Sequence, residues 1–490
     1  MRFLLDTNIL IPLEDSNIPL PPGLANFVRL AQEHGHTLVF HPASEEDINR
    51  DRNADRRIRT RDRLEQYTRL DGILDCPWNT PETSPNDACD NAILYALESD
   101  AARYLITEDR EIHKKAISRN ISDRVYGIQA AEDFLRRLYE PGSVQLPNIK
   151  DVPLHSLTHL LGDEFFDSLR EDYQFDTWFR HHASEGRRAW VYWIEPEKLG
   201  ALCIFARKVN DDLTGRGEIL PGASLKLCTF KVGEGCRGRK IGELFLKAAF
   251  RHATEHGLEN IFIHGNPDKQ AILFELLSDF GFTEFGQYDD DVVYVKPHPL
   301  VAPDDSTGDL SAFEYCRKYF PHFRQDSRVR KFIIPIRPEY HRILFSDYVS
   351  PVDPPQMTLF DSTHTASNAI KQAYLCHAKL GKVSPGDIVL FYRSTDEMAV
   401  TSLGIVEQYE TLENANEIVD RVRRRTVYSM TEIEDMARKP TKVMLFRLVK
   451  HFTYPPSFEW LKQNRVVNGN IQTIREIDDD AYQRLISQAA

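Results

Sequence analysis

Over roughly residues 1–140, short apolar runs alternate with amphipathic stretches of helical length. The runs are "RFLLD", "TLVFHP", "ARYLIT" and "RVYGI"; between them lie "LANFVRLAQEHG" (24–35), "DNAILYALESD" (90–100) and "AAEDFLRRLY" (130–139). An apolar run of three or four residues with no polar alternation is a strand covered on both faces. Strands of that kind, separated by helices, leave few choices. They predict an α/β domain with a mainly parallel sheet.

The rest of the chain divides at two stretches rich in proline and polar residues, "EPGSVQLPNIKDVP" (140–153) and "HPLVAPDDSTGD" (298–309), which read as linkers. Between them the pattern predicts two helical stretches, the strands "RAWVYWI", "GALCIFARKV" and "SLKLCTFKV", a helix over 239–256, the strand "NIFIHG", another helix and the strand "DVVYVK". Residues 310–490 mix the strands "DIVLFYR", "TSLGIVEQYE" and "KVMLFRLVKHF" with a helix around 414–437. Three domains follow: 1–140, 141–300 and 310–490. With 490 residues, one core would be unusually large. No apolar stretch approaches the length of a membrane span, and no basic-then-apolar leader opens the chain. Seven scattered cysteines form no CxxC pair, so neither a disulfide framework nor a zinc ribbon is suggested. The expected compartment is the cytoplasm. A net charge of −13 argues against coating nucleic acid by bulk charge, but "NRDRNADRRIRTRDR" (49–63) and "DRVRRR" (420–425) are local basic tracts.

In open α/β sheets, ligands bind beyond the carboxyl ends of the strands. Acids recur there: Asp6 after "RFLL", Glu45, Glu46 and Asp47 after "TLVFHP", Asp87 and Asp90 opening a helix, and Asp109 in "LITED". Helix capping accounts for any one of them. As a set they suit a hard divalent cation, Mg²⁺ or Mn²⁺, which neutralises clustered carboxylates and activates water. Thr7, Asn8 and Thr107 are short polar neighbours suited to holding a carboxylate. The ordered set "LLDTN", acid after the second strand, "NDACDNAIL" and "LITED" resembles the PIN-domain nucleases. That resemblance implies a metal-dependent endoribonuclease acting on single-stranded RNA. Its catalytic acids would be Asp6, Asp47, Asp90 and Asp109, with Asp87 a further metal ligand; of "SEEDI", Asp47 is favoured because it directly precedes Ile48. Arg56, Arg57 and Arg59 in the adjoining basic tract are candidates for the RNA backbone.

"TFKVGEGCRGRKIGELFLKAAFRHATEHG" runs from an apolar strand through a glycine-rich basic loop into a long helix. Gly235, Gly238 and Gly242 permit close approach of a ligand, and the helix N-terminus favours phosphate. The loop has neither the Walker arrangement nor the GxGxxG spacing. Together with the order of the surrounding elements and "NIFIHGN" followed by a helix ending in "FGF", it resembles the GNAT-type acetyltransferases. The resemblance implies acetyl-coenzyme A, held by Cys236, Arg237, Gly238, Arg239, Lys240, Ile241 and Gly242, with Asn266 near the coenzyme. Two departures stand out: Lys240 replaces a glycine of the family loop, and "KQAILFELLSDFGF" has no tyrosine to protonate the departing thiolate. The sequence names no general base.

"SNAIKQAYLCHAKLGKVSPGDIVLFYRS...LGIVE" is read as a helix, a "PGD" turn and two strands, and resembles PUA-like barrels of the ASCH and EVE type. This implies binding of RNA or one flipped base. Ser367, Asn368 and Lys371 are the polar candidates, with Arg393, Arg423 and Arg424 for the backbone. Tyr374, Phe391 and Tyr392 could stack a base or simply fill the core.

The expected fold class is thus multidomain α/β: a PIN-like parallel-sheet domain, a GNAT mixed α/β domain and a PUA-like α+β barrel. The expected function is an RNA-directed, toxin-like enzyme combining a ribonuclease with an N-acetyltransferase. The alternatives are an acetyltransferase whose other domains only bind nucleic acid, and a non-enzymatic coenzyme-sensing RNA regulator. Expected partners are RNA, an unidentified acetyl acceptor, an inhibitor protein and a second copy of the chain.

Overall fold

The computed structural model describes residues 1–14, 18–72, 74–78, 85–140, 148–171, 174–305, 308–352, 369–378, 383–425 and 427–489. They form two compact units, Met1–Val144 with Arg237–Arg239, and Gln145–Cys236 with Lys240–Ala490. No helix among the described residues is long and apolar enough to cross a membrane.

The first unit is built on β1 (Arg2–Leu5), β2 (Thr37–Phe40), β3 (Thr68–Arg69), β4 (Tyr104–Ile106) and β5 (Val125–Tyr126), in the order β3-β2-β1-β4-β5. Every neighbouring pair is parallel, as the unbroken apolar runs require. Leu4, Val39 and Leu105 pack on one face beneath the helix Pro85–Glu98. Phe3, Phe27, Tyr104, Tyr126 and Phe134 stack on the other. The chain runs outward from β1 to β3 and returns to place β4 on β1's other side. The carboxyl ends of β1 and β4 are therefore neighbours at the point where strand order reverses, and Asp6 N–H donates to Ile106 O at 3.1 Å.

The second unit holds two sheets. The first comprises β6 (Ile149–Pro153), β7 (Arg188–Glu195), β8 (Lys198–Asp212), β9 (Ile219–Val232), β10 (Asn260–Gly265), β11 (Thr283–Tyr288) and β12 (Asp291–Pro297), ordered β6-β7-β8-β9-β10-β12-β11. All its pairs are antiparallel except β9 with β10. The crossover between those two is the helix Ile241–Glu255, with Ile241, Leu244, Phe245, Ala248, Ala249 and Ala253 buried along one stripe. The helix stops at His256, and Gly257 follows at φ +62°. Part of the segment read as a linker is structured: β6 extends the sheet along Arg188–Tyr192. Its terminal Pro153 suits an edge strand.

The second sheet comprises β13 (Lys331–Ile336), β14 (Lys371–Cys376), β15 (Ile388–Arg393), β16 (Ala399–Leu412), β17 (Thr441–His451) and β18 (Arg475–Ile477), ordered β14-β17-β16-β15-β13-β18, with β13 and β15 parallel. The segment expected as a helix around Lys371 contains the strand β14 instead, paired over six residues with β17. The single helix expected around 414–437 is two, Ala415–Val422 and Met430–Ala437. One continuous apolar cluster runs from Trp190 through Phe245 and Ile333 to Ala489, so both sheets of this unit share a core.

Candidate functional site

At the carboxyl end of β1, the opening tripeptide builds a carboxylate holder. Asp6 is buried; its Oδ1 accepts from Thr7 N at 2.7 Å, and its Oδ2 accepts from Asn8 Nδ2 at 2.7 Å and Thr107 Oγ1 at 2.6 Å. Thr107 ends β4, so the grip depends on β1 and β4 being adjacent. Burial raises the Asp6 carboxyl to about 7, against the pull of these hydrogen bonds, and the charges of Asp90 and Asp109 push the same way. Burial also raises Asp90, while Lys115 draws it down.

Asp109 caps the helix Arg110–Ser118, its Oδ1 accepting from Glu111 N at 2.7 Å. Asp47 reaches the same region: Cys89, buried, has its thiol pushed to about 12 by desolvation and by the charges of Asp47, Asp6 and Asp90. Glu45 turns instead to Arg69, at 3.0 Å. Asp87 and Asp90 both bond Lys115 Nζ, at 3.1 and 2.9 Å. The acids therefore converge, but not as tightly as a shared ion would draw them: among the described residues, no three of them bring donor atoms within 4.8 Å of one another. Lys115 is the cation two of them already hold. The set fits a divalent ion in charge, since burial and like charge leave Asp6 short of compensation.

In the second unit, β9 and β10 pair only over Ser224–Leu227 and Asn260–Ile263. Beyond Leu227, β9 continues to Val232 with no pairing to β10, and the two strands part. A bulge lies at this point: Ile204 faces Thr229 while Phe205 faces Leu227, which leaves Cys228 over. The loop after β9 turns through Gly238 at φ +82° and Lys240 at φ +60°, and the helix from Ile241 has no side-chain cap. The N-terminus of a helix without a side-chain cap favours an anion.

Several side chains of the loop and its surroundings have structural partners. Cys236 is buried. A Cβ on Gly242 would meet Leu276 Cδ2 at 2.9 Å, so the end of that side chain would have to shift. Gly235, where a Cβ would meet nothing within 4 Å, is unconstrained. Lys240 Nζ donates to Lys371 O at 3.2 Å. Asn266 Oδ1 caps its own turn, accepting from Asp268 N at 2.9 Å.

His264 is the residue that sequence reasoning missed. It lies on β10 just past the last pair with β9; its Nε2 is buried with no hydrogen-bond partner among the described residues, and burial plus Lys226 lower the ring to about 4. Only the register of two strands marks it out.

Of the expected RNA contacts, the structure corrects Arg393. Arg393 is fully buried, with Nε and Nη2 on Asp396 at 2.9 and 2.6 Å, so it cannot meet a phosphate. Lys371 is mostly buried and ion-paired with Asp279, and burial lowers it to about 8. Tyr374, Phe391 and Tyr392 are core residues. Arg56 is held by Asp51 at 2.5 Å, and Arg57 donates to Asp51 O at 2.8 Å. Arg59 is half-buried, and Arg423 donates to Asp420 O at 2.6 Å. Ser367, Asn368 and the side chain of Arg424 lie outside the described residues.

The model of the Acetyltransferase (GNAT) family matches residues 154–282. The similarity to the GNAT family is confined to this segment. The match ends at the "FGF" segment and spans the parted strands, the loop and both flanking helices. Solved structures similar to this chain include the GNAT-family acetyltransferase of Staphylococcus aureus, 16% identical over 31% of this chain and 99% of its own, with a TM-score of 0.23. The PaiA N-acetyltransferase of Thermoplasma acidophilum, in complex with coenzyme A, is 12% identical over 31% and 99%, with a TM-score of 0.23. The ASCH protein of Zymomonas mobilis is 14% identical over 33% and 96%, with a TM-score of 0.26. No curated protein matches the chain.

Proposed function

We propose that the chain is an acetyl-coenzyme A-dependent N-acetyltransferase, and the match over residues 154–282 carries this reading. The parting of β9 from β10 supports it. The open edge of β9 after Leu227 would pair with the coenzyme's pantetheine arm, and the N–H groups at the start of the Ile241–Glu255 helix would hold its pyrophosphate. Bound coenzyme supplies an activated acetyl thioester. The protein then needs only to hold a neutral amine against it. His264, on β10 just past its last pair with β9, is the candidate to accept the amine's proton.

Binding is measured by calorimetry with acetyl-coenzyme A, and transfer with labelled coenzyme and a mixture of amines, peptides and RNA. Micromolar binding and label transfer are expected. His264→Gln should lower kcat at least tenfold without weakening coenzyme binding. An unmodified coenzyme pool after long incubation would overturn the reading.

A second activity rests on the first unit. Its sheet order and its rim of acids favour a PIN-like nuclease. Asp6, Asp90 and Asp109, with Asp47 beside them, would hold Mg²⁺ or Mn²⁺, and the ion would supply a water nucleophile at lowered pKa. The chain's own residues position Asp6 through Thr7, Asn8 and Thr107. Cleavage of single-stranded RNA that needs Mg²⁺ and is lost in Asp6→Asn is the expected result. Cleavage surviving that substitution assigns it elsewhere, and its absence from the wild-type protein leaves the acetyltransferase with a nucleic-acid-binding unit. The second sheet of the larger unit, read as PUA-like, would bind the RNA.

A further inference from the structure

Outside both candidate sites, the helix Phe175–Ser184 ends with two adjacent histidines, His181 and His182, and its C-cap residue is Glu185. Spacings of four and three residues place Glu185 on the same side as both imidazoles. His181 Nε2 is 3.2 Å from Glu185 Oε1, and His182 Nδ1 is 2.6 Å from Oε2. The two imidazole centroids are 4.9 Å apart. One donor atom from each of the three side chains lies within 4.8 Å of the other two.

We propose that His181, His182 and Glu185 form a binding site for a divalent transition metal of the Zn²⁺ class, separate from the acidic rim of the first unit. Two imidazole nitrogens and a carboxylate oxygen suit Zn²⁺, Ni²⁺ or Co²⁺. Hard Mg²⁺ prefers an all-oxygen shell. Three protein ligands leave further coordination positions to water. The location favours a cation, because a helix C-terminus carries partial negative charge.

The surroundings constrain the ligands. Trp178 meets the His182 ring edge-on, with centroids 4.7 Å apart, which limits its rotation. Arg187 Nη2, 3.8 Å from Glu185 Oε2, is the positive charge a metal must compete with. The three ligands are partly or fully exposed, so an ion enters from solvent without moving the core.

The full-length protein, stripped with chelator, is titrated with ZnCl₂ by calorimetry, and with Co²⁺ by visible absorption. One Zn²⁺ per chain is expected, undisturbed by a thousandfold excess of Mg²⁺. His182→Ala and Glu185→Gln should each weaken it at least tenfold. Both positions are at a solvent-facing helix end, and circular dichroism checks that each variant folds. Co²⁺ should give nitrogen–oxygen d–d bands without a thiolate charge-transfer band. The proposal is overturned by the absence of stoichiometric Zn²⁺ binding, by wild-type affinity in both variants, or by a thiolate band placing the ion on cysteine.

Discussion

Arg393 ends β15, an apolar strand, and reads in sequence like a cation emerging at a sheet edge. Its side chain instead turns back to Asp396 and to Glu397, with Nη1 3.8 Å from the latter. Glu397 is itself buried and accepts from Ser350 Oγ at 2.6 Å and from Tyr348. Truncating the arginine would strand that acid in the interior. Arg393→Ala should therefore cost about 3–5 kcal/mol of stability, measured by urea unfolding. RNA affinity of the folded fraction should not change. The two acids three and four residues later were visible in "RSTDE", but sequence alone does not say that the turn folds them back. The contrast is Asp6. Its neighbours Thr7 and Asn8 are local, so their role in holding the carboxylate was legible. Thr107 sat in a second strand-end motif of the same kind.

At the scale of elements, what could be read was what one periodicity decides. The unbroken apolar runs of β1, β2 and β4 fixed a parallel sheet, and the stripe along Ile241–Glu255 fixed a helix. Around Lys371, "AIKQAYLC" carries apolar residues at both helical and alternating spacings, and only pairing with β17 settles it as a strand. The bulge at Cys228 has no sequence mark at all, because it is a mismatch of register between β8 and β9. The glycine at the second position of the Ile241–Glu255 helix illustrates the same limit. A Cβ at Gly242 would press on the end of the Leu276 side chain. Gly242→Ala should then cost about 1–3 kcal/mol by overpacking, seen as a lowered Tm. Gly235→Ala, facing open space, should leave Tm within a degree and coenzyme binding intact. Equal effects of the two substitutions would show that the loop, rather than the packing behind it, sets the requirement.

For the whole molecule, charge balance hides where the titrating groups are. A chain of −13 suggests carboxylates as its acid-sensitive groups, yet in the larger unit the buried His298 and the half-buried His252 and His264 are each lowered to about 4 chiefly by burial. His298 stacks on Phe250 and shares a hydrogen bond with Thr254 Oγ1 at 2.9 Å. These rings are neutral in the folded protein at pH 5, whereas in the unfolded chain they take up protons from about 6.5 downward. The unfolded state therefore binds more protons between those two values, and stability falls as pH drops through that window. Above 6.5 the contribution is fully present; below 4 it is exhausted. Urea unfolding followed by Trp fluorescence at pH 7, 6 and 5 should show a midpoint that declines steadily, well before ordinary carboxylates begin to titrate. His298→Gln should flatten that decline while lowering stability at pH 7. A midpoint that holds constant down to pH 5 would mean that these rings are open to water in solution.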